Sequence, residues 1–485
     1  MVPVGGGYMF FIDLDKNSEH EFLYREIYEK IKMKIMKNKI NEGEKLPSKR
    51  RLAKQLGVSV NTITSAYEQL LVEGYIYTIE RSGYYVEEIT QLPQTFSKKA
   101  QLIPEDLKET LSKDEPHKLS LSHMDTDVDM FPFKEWFKAQ QLALQKHQNQ
   151  LGHITHQQGP LIVRQTLSKM INLTRGVDCE PEQIVISVGT QALIKQILYV
   201  LKLASNKQLN IAVENPGYQR LYGLMEQLNA NVYPTSVDEN GISIDEIKNS
   251  DVNTVFLTPS HQFPIGSIMP VYKRFDLLNW AAQNPYHYII EDDYDSEFKY
   301  QTDNIPALQS LDYNQKVIYM GSFSKSLLMG FRISYMVLPY DLLRIYRKHH
   351  HKLLPYNNTL SLFTLNEFIL NGSYLQHIKR MNLMYEKKRT ELITQLSSVF
   401  KDNISINDVP AGLHFTASFK TDKTYDQIEQ AAPKHLLDVH TIRRFLFESK
   451  TREKNNEITL VIGFSSIRIE DIPEAVNRLK KIIYD

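Results

Sequence analysis

From about residue 120 to the C-terminus, short runs of β-type residues alternate with helical stretches, and this alternation constrains the fold more than any other feature of the chain. The runs include 184–188, 210–213, 254–257, 288–290, 317–320 and 333–337. Strands separated by helices build a mostly parallel α/β sheet, because each parallel neighbour needs a crossover long enough to hold a helix. Such sheets bind ligands at the C-terminal ends of their strands. The residues that close each run are therefore the first candidates for chemistry. No internal repeat or low-complexity tract interrupts the pattern.

The first ninety residues follow a different plan. Tyr24, Ile27, Tyr28, Ile31 and Ile35 fall at helical spacing within 21–39, and Asn41-Glu42-Gly43-Glu44 breaks the helix. Pro47-Ser48 opens a second short helix carrying Leu52, Ala53 and Leu56, with Ser48 as its N-cap. Gly57-Val58-Ser59 is a tight turn. A third helix from about Asn61 turns Ile63, Ala66, Tyr67 and Leu70 inward. After Gly74, β-rich runs 75–79 and 84–86 flank Glu80-Arg81-Ser82-Gly83. The order is helix, helix-turn-helix, hairpin wing.

Net charge is zero over the 485 residues, but residues 32–54 hold nine Lys or Arg against Glu42 and Glu44. A basic patch confined to one small unit is an electrostatic footprint for phosphate. Charge alone fits a solvated helix face; the helix-turn-helix spacing adds the duplex-DNA reading. Lys49, Arg50 and Arg51 stand where the second helix would meet the DNA backbone. Ser59, Asn61, Thr62 and Thr64 stand where the third would meet base edges. Arg81 at the wing tip suits a minor groove.

Residues 88–118 are polar and aperiodic, which reads as a linker with one helical turn after Pro104. No run of about 18 apolar residues exists, so no membrane span is expected. There is no signal-peptide pattern, and the single cysteine, Cys179, fits a reducing cytoplasm. The opening MVPVGGGYM places the expected start at Met9, since consecutive glycine codons can spell a purine-rich ribosome-binding site.

Four segments of the large region carry chemistry. Gly321-Ser322-Phe323-Ser324-Lys325, with Arg332 further on, follows one β-run. A lone lysine after a strand is usually a surface residue, whereas this cluster sets an amine among anion-binding groups. Ile289-Ile290-Glu291-Asp292-Asp293-Tyr294-Asp295 is a buried run ending in acids. Gly189-Thr190-Gln191 passes from strand into helix, where free N–H groups and the dipole favour an anion. Glu214-Asn215-Pro216-Gly217-Tyr218 supplies an aromatic after another strand. An amine, a buried carboxylate, an anion cradle and a stacking ring are what pyridoxal phosphate requires. Lys325 would form the Schiff base, Asp292 would meet the pyridine nitrogen, and Tyr294 the ring hydroxyl. Ser322, Ser324, Arg332, Gly189, Thr190 and Gln191 would hold the phosphate, and Tyr218 would stack. No metal is expected, because the histidine nearest in sequence, His287, precedes the acidic run at the wrong end of the strand.

The stretch LPSKRRLAKQLGVSVNTITSAYEQLLVEGYIYTIERSGYYV resembles the GntR-type winged helix. The resemblance implies that Arg50, Ser59, Asn61, Thr62, Arg81 and Gly83 face DNA. One departure is Val60, where that pattern usually has Arg. The stretches SLSHMDTDVDMFPFKEWF, TPSHQFPIGSIMP, IIEDDYDSEF and GSFSKSLLMGFRISYMVLP resemble the fold-type I aminotransferases. Together the two parts resemble the MocR family of regulators, with a likeness to its GabR-like members. That implies a winged helix over 18–87, a linker over 88–119, and an aminotransferase-like domain over 120–485 that binds pyridoxal phosphate and effector. It also implies a head-to-tail, domain-swapped homodimer acting on DNA and RNA polymerase recruitment.

The residues favour a sensor over an enzyme. Active relatives of this type usually carry Asn before the Pro-x-Gly turn, where this chain has Phe263, and an Arg in a late strand, which Leu460-Val461-Ile462-Gly463-Phe464 lacks. At most a half-transamination is expected. By resemblance, Arg220 and either Arg443 or Arg444, with Arg444 preferred, bind an effector carboxylate. GabR-like regulators respond to γ-aminobutyrate as an external aldimine with the cofactor. The alternatives are a regulator that senses vitamin B6 itself and governs its synthesis, and a working aminotransferase tethered to DNA. The basic, histidine-rich run over 344–352 reads as a solvated helix face.

Overall fold

The computed structural model describes residues 23–88, 103–108, 118–300, 305–447 and 456–485. The expected start at Met9 and most of the expected linker lie outside the described residues. The chain divides into two compact units, Met1–Lys113 and Asp114–Asp485.

In the small unit, helix α1 (Leu23–Met36) buries Ile27, Tyr28, Ile31 and Ile35, while Tyr24 in its first turn stays 40% exposed. Helix α2 (Lys49–Leu56) starts at Ser48, whose Oγ accepts the Arg51 N–H at 3.3 Å. It stops at Gly57, which takes φ 68°, a left-handed conformation that costs glycine little. Helix α3 (Val60–Val72) begins at Ser59, which accepts the Thr62 N–H at 3.1 Å. Its Ile63, Ala66, Tyr67 and Leu70 are wholly buried with the α1 side chains and with Leu52 of α2. Strands β1 (Ile76–Ile79) and β2 (Gly83–Val86) pair antiparallel, with Arg81 at positive φ in the turn between them.

A 3-10 turn, Glu105–Leu107, follows Pro104 as the sequence suggests. Leu119, placed in the linker by sequence, belongs to the large unit: Leu119–Ser120 pairs in parallel with Leu437–Asp438.

The large unit is built on an eight-stranded sheet. Its spatial order is Ile184–Ser187, Ser334–Val337, Val317–Ser322, Tyr288–Asp293, Thr254–Leu257, Asn210–Asn215, Asn231–Asp238, Gly241–Ile242. The five strands from Val317–Ser322 to Asn231–Asp238 pair in parallel. Ser334–Val337 runs antiparallel to both of its neighbours. Side chains alternate between two helical layers, as a pleated strand requires: Ile184 and Ile186 pack into one cluster and Val185 into the other. Two strands run further than their apolar stretches suggest, so Asp292 and Ser322 are strand residues rather than loop residues. The ladder pairing Met320 with Asp292 and Gly321 with Asp293 carries the backbone through the acids.

A second sheet, of order Ile404–Asn407, His414–Lys420, Glu457–Gly463, His440–Thr441, is antiparallel throughout. Helices Ser373–Phe400, Tyr425–Lys434 and Ile472–Tyr484 bury its core. The solvated face expected for the histidine run is corrected at His350. Its ring is buried and stacks on Tyr346, one turn earlier, at 4.1 Å. No described helix is long and apolar enough to cross a membrane.

Candidate functional site

The C-terminal ends of the large sheet's strands open onto a cavity of about 290 Å³. Thr190, Gln191, Tyr218, Asp292, Tyr294, Ser322, Ser324, Lys325 and Arg332 all line it, although they come from five separate segments of the chain. Lys325 follows the strand that ends at Ser322. Its Nζ donates to the backbone carbonyls of His123 (2.7 Å) and Met124 (2.9 Å). Burial pushes this amine down to about 8, against the opposing pull of Asp295 and Asp125. A lysine so placed is a nucleophile near neutral pH.

The acidic run divides by strand alternation. Glu291 turns one way and accepts the backbone N–H groups of Leu308 (2.7 Å) and Gln309 (2.9 Å). Asp293 accepts Arg175 Nε and the Tyr319 hydroxyl, each at 2.6 Å. Asp292 between them lines the cavity, and its Oδ1 is buried with no hydrogen-bond partner among the described residues. Burial, reinforced by Asp293 and Asp295, pushes its carboxyl up to about 7. A buried acceptor without a donor is costly, and a protonated ring nitrogen would relieve it.

The opposite end is an anion cradle. Gly189 precedes helix Thr190–Ser205 at φ 94°, and a Cβ there would lie 2.5 Å from Arg332 Nη2. The guanidinium therefore lies against bare backbone, beside the N–H groups of a helical first turn. Ser322 donates its hydroxyl to Ser324 Oγ at 2.9 Å and accepts the Ser324 N–H at 3.1 Å. Cradle and orphaned carboxylate together fit a phosphate and a pyridine nitrogen.

Sequence reasoning missed several residues in the wall and behind it. His261 is distant from the acidic run in the chain, yet its Nδ1 lies 2.9 Å from Asp295 Oδ2 and 3.0 Å from the Tyr294 hydroxyl, which donates to the His261 carbonyl at 3.1 Å. The histidine beside the acidic run is thus His261, not His287. His261, Asp295 and His414 bring their ligand-type atoms within 4.8 Å of one another. Since His261 Nδ1 is engaged by Asp295 and Tyr294, we read the group as a hydrogen-bonded network. Glu214 is buried, accepts Thr258 at 2.7 Å, and is pushed up to about 8 by burial. His123 also lines the cavity. The signals for His261 and His123 were the His of TPSHQFP and of SLSHMD, which spacing alone does not connect, and Glu214 opens the run that ends at Tyr218.

In the small unit, Arg50, Ser59, Asn61 and Arg81 are exposed, and Lys49, Thr62, Thr64 and Gly83 are half-buried. Several of the hydroxyls are already engaged: Thr64 donates to the Val60 carbonyl at 2.9 Å, and Ser59 and Thr62 lie 2.8 Å apart in the cap. Lys49 Nζ sits 5.3 Å from the Tyr84 ring centre.

Residues 23–86 match the family described as bacterial regulatory proteins, gntR family, and residues 115–444 match aminotransferase class I and II. The HTH-type transcriptional regulator YdeL of Bacillus subtilis (strain 168) is 34% identical over 94% of this chain and 96% of its own length. The probable rhizopine catabolism regulatory protein MocR of Rhizobium meliloti is 25% identical over 94% of this chain and 93% of its own. The chain belongs to the MocR family of transcriptional regulators. Its large unit shares the fold of a Pyrococcus horikoshii kynurenine aminotransferase, with a TM-score of 0.67 over 80% of this chain and 96% of that one, at 20% identity. The gntR-type unit implies DNA binding, and the aminotransferase fold implies pyridoxal phosphate.

The structure places the positions that the sequence marks in this MocR-family regulator. Phe263 is buried in the cavity wall, edge-on to Tyr218 (5.8 Å), Tyr294 (6.0 Å) and Phe445 (5.1 Å). Strand Glu457–Gly463 carries no arginine. Arg220 is exposed and lines the cavity. Arg443 and Arg444 line a neighbouring groove instead. Arg443 is tied to Asp426 and, at 2.8 Å, to Glu429. Arg444 donates to the His440 ring at 3.0 Å, and that ring lies 5.6 Å from His123. The Gly217 N–H donates to the Phe445 carbonyl at 2.9 Å, which joins the turn leading into the helix of Arg220, Gln219–Gln227, to the 3-10 turn of Arg444, Ile442–Phe445.

Proposed function

We propose that this chain is a DNA-binding regulator whose large unit holds pyridoxal phosphate at Lys325 and senses a small amino acid, with γ-aminobutyrate the best candidate. Pyridoxal phosphate, when bound, supplies an aldehyde that condenses reversibly with primary amines. Lys325 offers the amine, and Asp292 holds the proton on the ring nitrogen. Tyr218 stacks, Tyr294 meets the ring hydroxyl, and Ser322, Ser324, Arg332 and the backbone of Gly189, Thr190 and Gln191 hold the phosphate. An effector amine would compete with Lys325 for that aldehyde, and the carbonyls of His123 and Met124 would hold the released lysine amine. Arg220 and Arg444 receive the effector's carboxylate. Lys49 and Arg50 meet the DNA backbone, Ser59, Asn61, Thr62 and Thr64 face base edges, and Arg81 with Gly83 forms the wing contact. In keeping with its family, the regulator acts as a domain-swapped homodimer on promoter DNA, and effector binding alters promoter engagement or RNA polymerase recruitment.

The observation that carries the sensor reading is the placement of cations. The late strand lacks the arginine that clamps an α-carboxylate, whereas Arg220 stands in the cavity wall on the helix whose leading turn is bonded to the 3-10 turn of Arg444. That arrangement suits an acid group further from the amine than an α-carboxylate. The test is a spectral titration of the cofactor-loaded chain with γ-aminobutyrate beside a promoter-binding assay. The expected result is a spectral change and a change in DNA affinity over the same concentration range, without sustained keto-acid production. Sustained turnover with a keto-acid acceptor would establish the enzyme reading instead.

A further inference from the structure

We propose that His123 reads the middle of the effector, selecting an amino acid that carries a hydroxyl between its amine and its acid. This rests on the effector reading above and narrows its ligand class: within the γ-amino acids, a β-hydroxylated one takes the place of γ-aminobutyrate as the preferred ligand. His123 is 7% exposed and lines the cavity, and neither ring nitrogen has a hydrogen-bond partner among the described residues. Buried polar groups in folded proteins are nearly always paired, so two orphaned nitrogens on one ring need a reason. The ring's neighbours do not supply it. Phe263 at 4.9 Å and Phe445 at 5.2 Å are apolar, and His440 at 5.6 Å and His414 at 6.3 Å meet it through their rings at steep angles.

The position matters as much as the vacant valences. The carbonyl of the same residue holds the Lys325 amine at 2.7 Å. Burial first, then the charges of Lys325, His440, Arg444 and Arg220, push the imidazole down to about 3. The ring therefore lies within the field of both the amine that the effector displaces and the two guanidiniums that take its acid. It is neutral, so it presents one donor and one acceptor. A chain of methylenes laid against it satisfies neither nitrogen, and for such a ligand an apolar side chain would serve better. A hydroxyl both donates and accepts, so it can pair with either nitrogen of either tautomer.

The experiment uses the full chain loaded with pyridoxal phosphate and follows the cofactor spectrum during titration with γ-aminobutyrate and with each enantiomer of γ-amino-β-hydroxybutyrate. One hydroxylated enantiomer is expected to bind about tenfold tighter than γ-aminobutyrate, the worth of one hydrogen bond to an otherwise unpaired buried group. His123→Phe keeps the aromatic packing and should erase that preference, and His123→Asn, which retains a donor and an acceptor, should keep part of it. If His123→Phe fails to hold cofactor, His123→Leu set against His123→Asn makes the same comparison. Binding of γ-aminobutyrate with no gain for either hydroxylated enantiomer, or a preference that survives in His123→Phe and His123→Leu, overturns the role of His123 and leaves the effector reading intact. A spectrum that none of the three compounds shifts overturns the effector reading itself.

Discussion

In the proposed function Lys325 is the amine that meets the cofactor, and its burial sets how that attachment depends on pH. Taking the ammonium out of water favours the neutral form and moves its titration down to about 8. Only the neutral amine attacks an aldehyde. Attachment of added pyridoxal phosphate to cofactor-free protein should therefore accelerate as pH rises and level off above about 8, followed by stopped-flow absorbance. A rate still climbing toward pH 10, as for an exposed lysine, would contradict this. The arginines give a second prediction at this scale. Arg443 is already neutralised by Asp426 and Glu429, so Arg443→Ala should change γ-aminobutyrate affinity less than about threefold. Arg220→Ala and Arg444→Ala should each weaken it by about tenfold to a hundredfold, the range for losing a charge-assisted contact, as read by spectral titration.

At the scale of elements, two turns can be tested directly. The strand-to-helix turn at Gly189 lets the Arg332 guanidinium approach bare backbone, and a side chain there would meet that guanidinium as well as an unfavourable φ. Gly189→Ala should weaken pyridoxal phosphate binding at least about tenfold in an equilibrium titration, the scale of one strained residue at a ligand contact. In α3, Val60 is exposed in the first turn, where the gntR-type pattern usually has a cation. Val60→Arg should tighten promoter binding and steepen its salt dependence by about one counterion, measured by fluorescence anisotropy at several salt concentrations.

These elements also show what was legible beforehand. The Ser48 cap, the Gly57 turn and the inward face of α3 depend on residues a few positions apart, so spacing revealed them. The amine, the buried Asp292 and the Gly189 turn were legible because each closes an apolar run. The ends of strands Tyr288–Asp293 and Val317–Ser322 were read short, because a buried acid or serine looks like a break until its partners, Arg175 for Asp293 and Ser334 for Ser322, are known. His261 against Asp295, and His123 against the cavity, are contacts between distant segments that no local pattern encodes.

At the scale of the whole molecule, a formal charge of zero hides a division of labour. Basic residues cluster over 32–54 of the small unit, while the large unit encloses an amine, an orphaned carboxylate and an anion cradle in one cavity. The same pairing of two units extends over the whole matched length of the full-length relatives. What joins them functionally, in this account, is the exchange of Lys325 for an effector amine. Borohydride reduction of the cofactor-loaded chain, followed by peptide mass spectrometry, reads that exchange directly. Without effector, reduction should fix the cofactor to the peptide containing Lys325, and saturating γ-aminobutyrate should leave that peptide unmodified. A Lys325 peptide that carries no adduct in the first sample, or the same adduct in both, would contradict the account.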